Sequence, residues 1–205
     1  TGDESYYKKA NKFNEAADKE LNGARSLAEK ERIDDLLDLV SELRPIMDEY
    51  EALLGEVNTL IVQRLDYRAD RKSSSESISS LVDRALQEVE KAGQEENQTF
   101  ALLSFFRNLA AEIRISNLEA EEFYDSKLLK NNTDRVEELN LVLDQIESAQ
   151  TGSLASLVRD LRAQVEQYKG VLLNTQDNWA AMASADRKID ATVETLEEEI
   201  HTFAT

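Results

Sequence analysis

Residues 33–89 read IDDLLDLVSELRPIMDEYEALLGEVNTLIVQRLDYRADRKSSSESISSLVDRALQEV. Apolar side chains recur in this stretch at every third or fourth position, which is the spacing of one face of an α-helix. The apolar members of this seam are Ile33, Leu36, Val40, Leu43, Met47, Tyr50, Leu54, Val57, Ile61, Ile78, Val82, Ala85 and Val89. In its middle the same spacing falls on Arg64, Arg68, Arg71 and Ser75. The stretch therefore predicts one long helix whose core-facing seam contains three successive arginines.

The three arginines raise the question of which anion they meet. A guanidinium keeps its charge in a protein, and burying it without a partner is very costly. A bound anionic ligand is one answer. The protein's own carboxylates are another, with Glu112, Glu121, Asp66 and Asp70 as candidates. Arginines can also bury their stems at core positions and send the charged head to solvent.

The composition of the chain argues against several classes of function. The 205 residues carry a formal net charge of -18, which argues against a nucleic-acid surface. Without cysteine there is neither a disulfide framework nor a thiolate metal site, and no apolar run approaches the length of a membrane span. The single histidine, His201, has no paired Glu-x-x-His motif, and no Gly-rich phosphate loop or Ser-His-Asp set is present. We predict no catalytic residue, no metal site and no cofactor.

Two further helices are predicted on either side of the long one. A charged, weakly amphipathic segment covers residues 3–32, and Asn22-Gly23 is a candidate break in it. Pro45 predicts a kink in a continuous long helix, and Gly93 is suited to cap its end. A third segment runs from about residue 97 to residue 129.

The remaining residues predict a short helix and a second long one. Residues 130–133 are interpreted as a turn before a short helix at 134–149, and Thr151-Gly152 is a tight turn before the last helix. The last helix has its own seam, formed by Leu154, Val158, Leu161, Val165, Tyr168, Leu172, Thr175, Trp179, Met182, Asp186, Ile189, Val193, Leu196, Ile200 and Phe203.

The two long helices resemble each other. A shift of 118 residues aligns the seam around Leu36 with that around Leu154, and it pairs Tyr50 with Tyr168 and Arg44 with Arg162. This internal repeat predicts an all-α fold of six helices, two long and four short, which form two stacked four-helix bundles. The first helix is short for its bundle, so we expect further residues before Thr1.

This architecture predicts which residues share a level. With the turns near residues 31 and 152 at the same height, Arg64 and Arg68 lie level with positions near 185 and 189 of the last helix. One layer is then predicted to contain Arg64, Arg68, Arg114, Asn117, Met182 and Asp186, with Trp179 above it and Arg71 and Arg107 below it. We predict a cationic cavity there that binds a small carboxylate through Arg64, Arg68, Arg71, Arg107, Arg114, Asn117, Trp179 and Asp186.

These residues resemble a known family, the helical bimodular sensor domain of bacterial methyl-accepting chemotaxis receptors. The resemblance is carried by the seam with Tyr50, the run from Arg64 to Arg71, the segment from Phe105 to Arg114, and the repeat from Leu154 to Tyr168. It implies a periplasmic domain of an inner-membrane protein, held by transmembrane helices that this chain lacks. It also implies binding of small organic acids and signalling through the long helices, within a homodimer.

In that family's terms, the membrane-distal module comprises about residues 15–57 and 134–175. The membrane-proximal module comprises about residues 1–14, 58–130 and 176–205. Two other functions remain as alternatives. One is the ectodomain of a sensor histidine kinase that reads a ligand or a periplasmic binding protein. The other is a structural helical rod, in which internal carboxylates pair with the arginines.

Overall fold

The structure is a computed structural model that describes residues 2–93, 97–147 and 152–204. These residues form five α-helices and no strand, so the predicted all-α class is confirmed. The helices are α1 (Gly2–Glu31), α2 (Asp34–Lys91), α3 (Gln98–Phe123), α4 (Ser126–Glu147) and α5 (Ser153–Ala204).

The structure describes five helices where six are predicted, and α1 is unbroken at the candidate break Asn22-Gly23. A helical glycine costs only about 1 kcal/mol relative to alanine. Side chains on both sides of that point also favour the helix. The Asn22 side chain donates to Asp18, and the Ser26 hydroxyl donates to the Asn22 carbonyl. On α2, the Arg44 guanidinium donates to Asp18 and to Asn22, which ties α2 to this part of α1.

The end of α3 lies earlier than predicted, and the turn predicted at residues 130–133 is wrong. The chain turns at Tyr124, whose φ of 52° is left-handed, and the Asp125 N–H donates to the Ala120 carbonyl. The Asp125 carboxylate then accepts from the Leu128 N–H, which begins α4. The polar residues mistaken for a turn are helical because α4 buries Asn132, and Thr133 donates to the Leu129 carbonyl.

The chain divides into two compact units, and α2 and α5 contribute to both. Unit 1 comprises residues 1–64 and 180–205, and unit 2 comprises residues 65–179. The predicted modules divide the chain at other residues. They group the first half of α2 with the first half of α5, whereas unit 2 contains the second half of α2 and the first half of α5.

Unit 2 has one hydrophobic core to which four helical segments contribute. Fully buried members include Val82 of α2, Phe106 of α3, Leu143 of α4 and Leu161 of α5. The buried face of α5 follows its predicted seam from Leu154 to Trp179. Unit 1 has a smaller core cluster, formed by Val57, Ile61 and Ala185 with Tyr7, Met182 and Ile189 packed against it.

Within unit 2, α2 and α5 run in opposite directions. The Ser153 hydroxyl, at the start of α5, lies 3.4 Å from the Glu88 carboxylate near the end of α2. Ile78, which precedes Glu88 on α2, lines the same cavity as Tyr168, which follows Ser153 on α5. The prediction that placed both long helices in one direction, with residues 31 and 152 level, is therefore wrong in this unit.

The two arginines that the repeat aligns have corresponding contacts. Arg44 joins α2 to the helix before it through Asp18 and Asn22. Arg162 joins α5 to the helix before it through Asp144 and Glu147, at 2.6 and 2.9 Å. Both arginines are therefore parts of helix–helix contacts.

Candidate functional site: an arginine cleft in unit 2

A concave surface lined by several arginines lies between α2 and α3 in unit 2. It consists of two adjoining cavities of about 290 and 430 Å³, which share Ser75, Arg114, Leu118 and Tyr168. Binding sites for small molecules are typically of roughly this size, at about 300–1,000 Å³. We call this surface the arginine cleft, and its charged lining residues are Arg68, Arg71, Lys72, Arg107, Arg114 and Glu121.

Arg71 is the one arginine of the predicted seam that is buried. Its side chain is 6% exposed, whereas that of Arg68, one turn earlier on α2, is 60% exposed. The buried face of α2 passes from Arg71 to Ser74 and Ile78, whereas the predicted seam ran through Arg68 and Ser75. The prediction of three successive core arginines is therefore wrong for Arg68, which lies at the rim of the cleft.

The anion that meets Arg71 is Glu121 of α3. Arg71 Nη2 lies 2.5 Å from Glu121 Oε2, and Arg68 Nε lies 3.6 Å from Glu121 Oε1. The Glu121 side chain is 17% exposed. Removing one member of a buried ion pair is strongly destabilising, because it leaves the other charge without a partner. One of the internal carboxylates named from the sequence thus neutralises the buried arginine.

Two more arginines enter the cleft from α3. Arg107 and Arg114 are seven residues apart, so they lie on nearly the same face of the helix. Arg107 has a distant partner, with Nη1 at 3.9 Å from Asp83 Oδ1, and both side chains are about half exposed. Arg114 makes no ion pair or hydrogen bond with the residues that the structure describes. Its guanidinium is consequently the strongest candidate for contacting an anion in the cleft.

A chain of buried polar side chains lies behind the cleft. Asn132 of α4 donates to the Asn117 side-chain oxygen at 2.9 Å, and Asn117 of α3 donates to the Tyr168 hydroxyl at 2.7 Å. Because Tyr168 accepts from Asn117, its own O–H remains a donor. Asn117 therefore positions Tyr168, and it is not itself among the residues lining the cleft.

Tyr168 is neutral at physiological pH. Its burial raises the pKa of the hydroxyl above its ordinary value. The hydrogen bond from Asn117 and the positive charges of Arg71 and Arg114 act in the opposite direction and reduce that rise. Both arginines line the larger cavity together with Tyr168. The cleft thus combines guanidinium groups with a neutral hydrogen-bond donor.

The structure brings five of the predicted site residues together in unit 2. Four line the cleft and one supports it from behind: Arg68, Arg71, Arg107, Arg114 and Asn117. Trp179 also belongs to unit 2, but its ring packs against Tyr124 with the centroids 5.8 Å apart. Arg64 and Asp186 belong to unit 1, so the predicted layer that joined them to Arg114 does not occur inside unit 2.

Lys72, Tyr168 and Glu121 are among the cleft residues that the site prediction left out. Tyr168 belongs to the predicted seam of α5, where the repeat aligns it with Tyr50. Its alignment gave no sign of the cleft, because the predicted direction of α5 placed it far from Arg114. Glu121 was considered only as a neutralising carboxylate.

Two kinds of feature are absent from the part of the chain that the structure describes. None of the helices there contains a segment both long and apolar enough to span a membrane. In the same ranges, no group of three or more His, Asp and Glu side chains is placed to hold a metal ion.

No family model, curated protein or solved structure matches the chain. Its function is therefore inferred from the residues of the cleft and from the sequence resemblance described above.

Proposed function

We propose that this chain is the ligand-binding domain of a transmembrane bacterial chemoreceptor and that it binds small organic acids in the arginine cleft. The observation that carries the proposal is the Arg114 guanidinium, which faces a cavity beside neutral Tyr168 without a partner among the described residues. The net charge of the whole chain is -18, so this cationic cleft contrasts with the rest of the protein. Such a contrast favours a specific anion site over a generally anion-attracting surface.

The cleft offers the groups that recognise a carboxylate. A guanidinium donates two parallel hydrogen bonds to a carboxylate, and such charge-assisted bonds are about twice as strong as neutral ones. In the proposed complex Arg114 makes this contact, Arg107 and Arg68 add charge at the rim, and the Tyr168 hydroxyl donates to a ligand oxygen. The apolar wall formed by Ile78, Val82 and Leu139 would contact the carbon skeleton of the ligand.

The remaining parts of the proposal follow from the family resemblance. We propose a periplasmic location, attachment to the inner membrane by helices outside this chain, and a homodimer. We also propose that the two units correspond to the family's two stacked four-helix bundles, drawn from six helices. Signalling would then occur because the ligand favours one of two packings of α2 against α3, displacing the long helix by about 1–2 Å.

A structural helical rod is the second candidate, and one observation favours it. Glu121 neutralises Arg71 from within the protein, as expected if the arginines serve only to join helices. In a rod, however, no small acid alters stability, whereas a receptor domain is stabilised by its ligand. A ligand present at 100 times its dissociation constant adds about 2.7 kcal/mol to the free energy of unfolding.

Thermal unfolding with a panel of acids tests the proposal. We expect at least one of malate, succinate, citrate and acetate to raise the melting temperature at constant ionic strength. Arg114→Ala should abolish this rise, while Arg187→Ala, which removes an exposed arginine of unit 1, should preserve it. Unchanged melting with all four acids would favour the rod. A normal response from Arg114→Ala would exclude the arginine cleft as the site.

A further inference from the structure

We propose that Glu121 occupies the carboxylate position of the arginine cleft in the ligand-free protein, and that a bound acid displaces it. This inference rests on the proposed function and adds a determinant of ligand specificity to the same site. The consequence is a preference for acids with two or more carboxylates over acids with one.

The geometry of Glu121 is that of a bound carboxylate. Its two oxygens face two different guanidinium groups, Oε2 toward Arg71 at 2.5 Å and Oε1 toward Arg68 at 3.6 Å. Glu121 lines the larger cavity of the cleft together with both arginines and Arg114. A ligand carboxylate that approaches Arg71 or Arg68 therefore meets the glutamate already in place.

The charges of the larger cavity determine which ligands can compete. Four cations line it, namely Arg68, Arg71, Lys72 and Arg114, and Glu121 is its only anion among the lining residues. A monocarboxylate that displaces Glu121 replaces one negative charge with another, and it must do so against a competitor attached to the protein. A dicarboxylate also displaces Glu121, but its second carboxylate can reach Arg114, which has no other anion among the described residues. The second ion pair offsets the lost internal one.

Removing the internal competitor should therefore help monocarboxylates most. When only a fraction of the protein is competent to bind, the apparent affinity falls by that fraction. If Glu121 occupies the site about 90% of the time, its removal strengthens acetate binding about tenfold. Glu121→Gln keeps the shape of the side chain and removes its charge.

The experiment is calorimetric titration of wild type, Glu121→Gln and Glu122→Gln with sodium succinate and sodium acetate at fixed ionic strength. Glu122 is the matched control, because it is the next residue of α3, carries the same charge and is exposed. We expect wild type to bind succinate more tightly than acetate. Glu121→Gln should bind acetate about tenfold more tightly than wild type. Glu122→Gln should stay close to wild type, because salt screens an exposed charge.

The outcomes separate this inference from the proposed function. If wild type binds succinate but Glu121→Gln gains no affinity for acetate, the competitor is refuted and the sensor function stands. If Glu121→Gln and Glu122→Gln gain the same affinity for acetate, the competitor role of Glu121 is also refuted, because the gain then results from the lower negative charge of the protein in general. If none of the three proteins binds either acid, the competitor role of Glu121 is refuted; the sensor function fails as well if malate and citrate also leave thermal unfolding unchanged.

A second variant covers the case in which Glu121→Gln does not fold, since Arg71 then has no anion. Glu121→Asp retains a carboxylate that is one methylene shorter, so it keeps the charge pair but weakens the contact. Circular dichroism first establishes that it is helical. We expect an acetate affinity between those of wild type and a protein without the competitor, and an unchanged acetate affinity would overturn the inference.

Discussion

Replacing Asn117 by alanine should destabilise unit 2 although it leaves the lining of the arginine cleft in place. Asn117 is 1% exposed and makes two buried hydrogen bonds, one from Asn132 at 2.9 Å and one to Tyr168 at 2.7 Å. Each such bond contributes about 0.5–1.5 kcal/mol net, and a buried polar group left without a partner costs about 1–3 kcal/mol. Because alanine removes both bonds and leaves the Asn132 amide without its acceptor, we expect a loss of about 2–4 kcal/mol.

Urea denaturation, followed by tryptophan fluorescence, measures this loss of stability in unit 2. Trp179 is the only tryptophan of the chain, and it belongs to unit 2, where it packs against Tyr124. Asn108→Ala is the control, since it makes the same substitution at an exposed position of α3 and should change stability by less than about 0.5 kcal/mol. If Asn117→Ala were as mild as Asn108→Ala, the buried polar chain would not join the helices and the proposed positioning of Tyr168 would be wrong.

Two more predictions concern unit 2. Phe106 is fully buried, whereas its neighbour Phe105 is 55% exposed. In urea denaturation, Phe106→Ala should lower the free energy of unfolding by about 3–5 kcal/mol and Phe105→Ala by less than about 1 kcal/mol. Similar losses in the two variants would contradict the assigned core face of α3. Because burial raises the pKa of Tyr168, its hydroxyl loses the proton at a lower pH in the unfolded chain than in the folded protein. Stability is then unaffected below about pH 10 and declines above it. Urea titrations at pH 9 and pH 11 should show that Tyr168→Phe removes part of the decline, and an undiminished decline in that variant would contradict the burial of this hydroxyl.

Local sequence patterns predicted much of the secondary structure. The apolar spacing continues through Pro45, and α2 is continuous there. The conformational freedom of glycine accounts for the left-handed Gly93 after the helix, whose φ is 66°. The end of α3 escaped prediction, since the left-handed residue there is Tyr124, a type that rarely adopts this conformation. Asn132 and Thr133 favoured a turn by composition. Both are buried in α4, where Asn132 donates to Asn117 of α3 and Thr133 donates to the Leu129 carbonyl.

The sequence predicted the chemistry of the candidate site, but only some of its residues. Arginines at core-facing spacing indicated a cationic cavity, and Arg68, Arg71, Arg107 and Arg114 do line one. The prediction omitted Tyr168, because its level on α5 was counted along the wrong direction.

The sequence by itself determined that this chain is helical and which face of most helices is apolar, because propensity and periodicity act over a few turns. Only the tertiary structure decided that α2 and α5 run in opposite directions in unit 2. Two amphipathic helices bury their seams in either relative direction, so apolar spacing does not distinguish them. Contacts between residues far apart in the chain make that choice, such as the one between Glu88 and Ser153, and they also bring Tyr168 to the arginines.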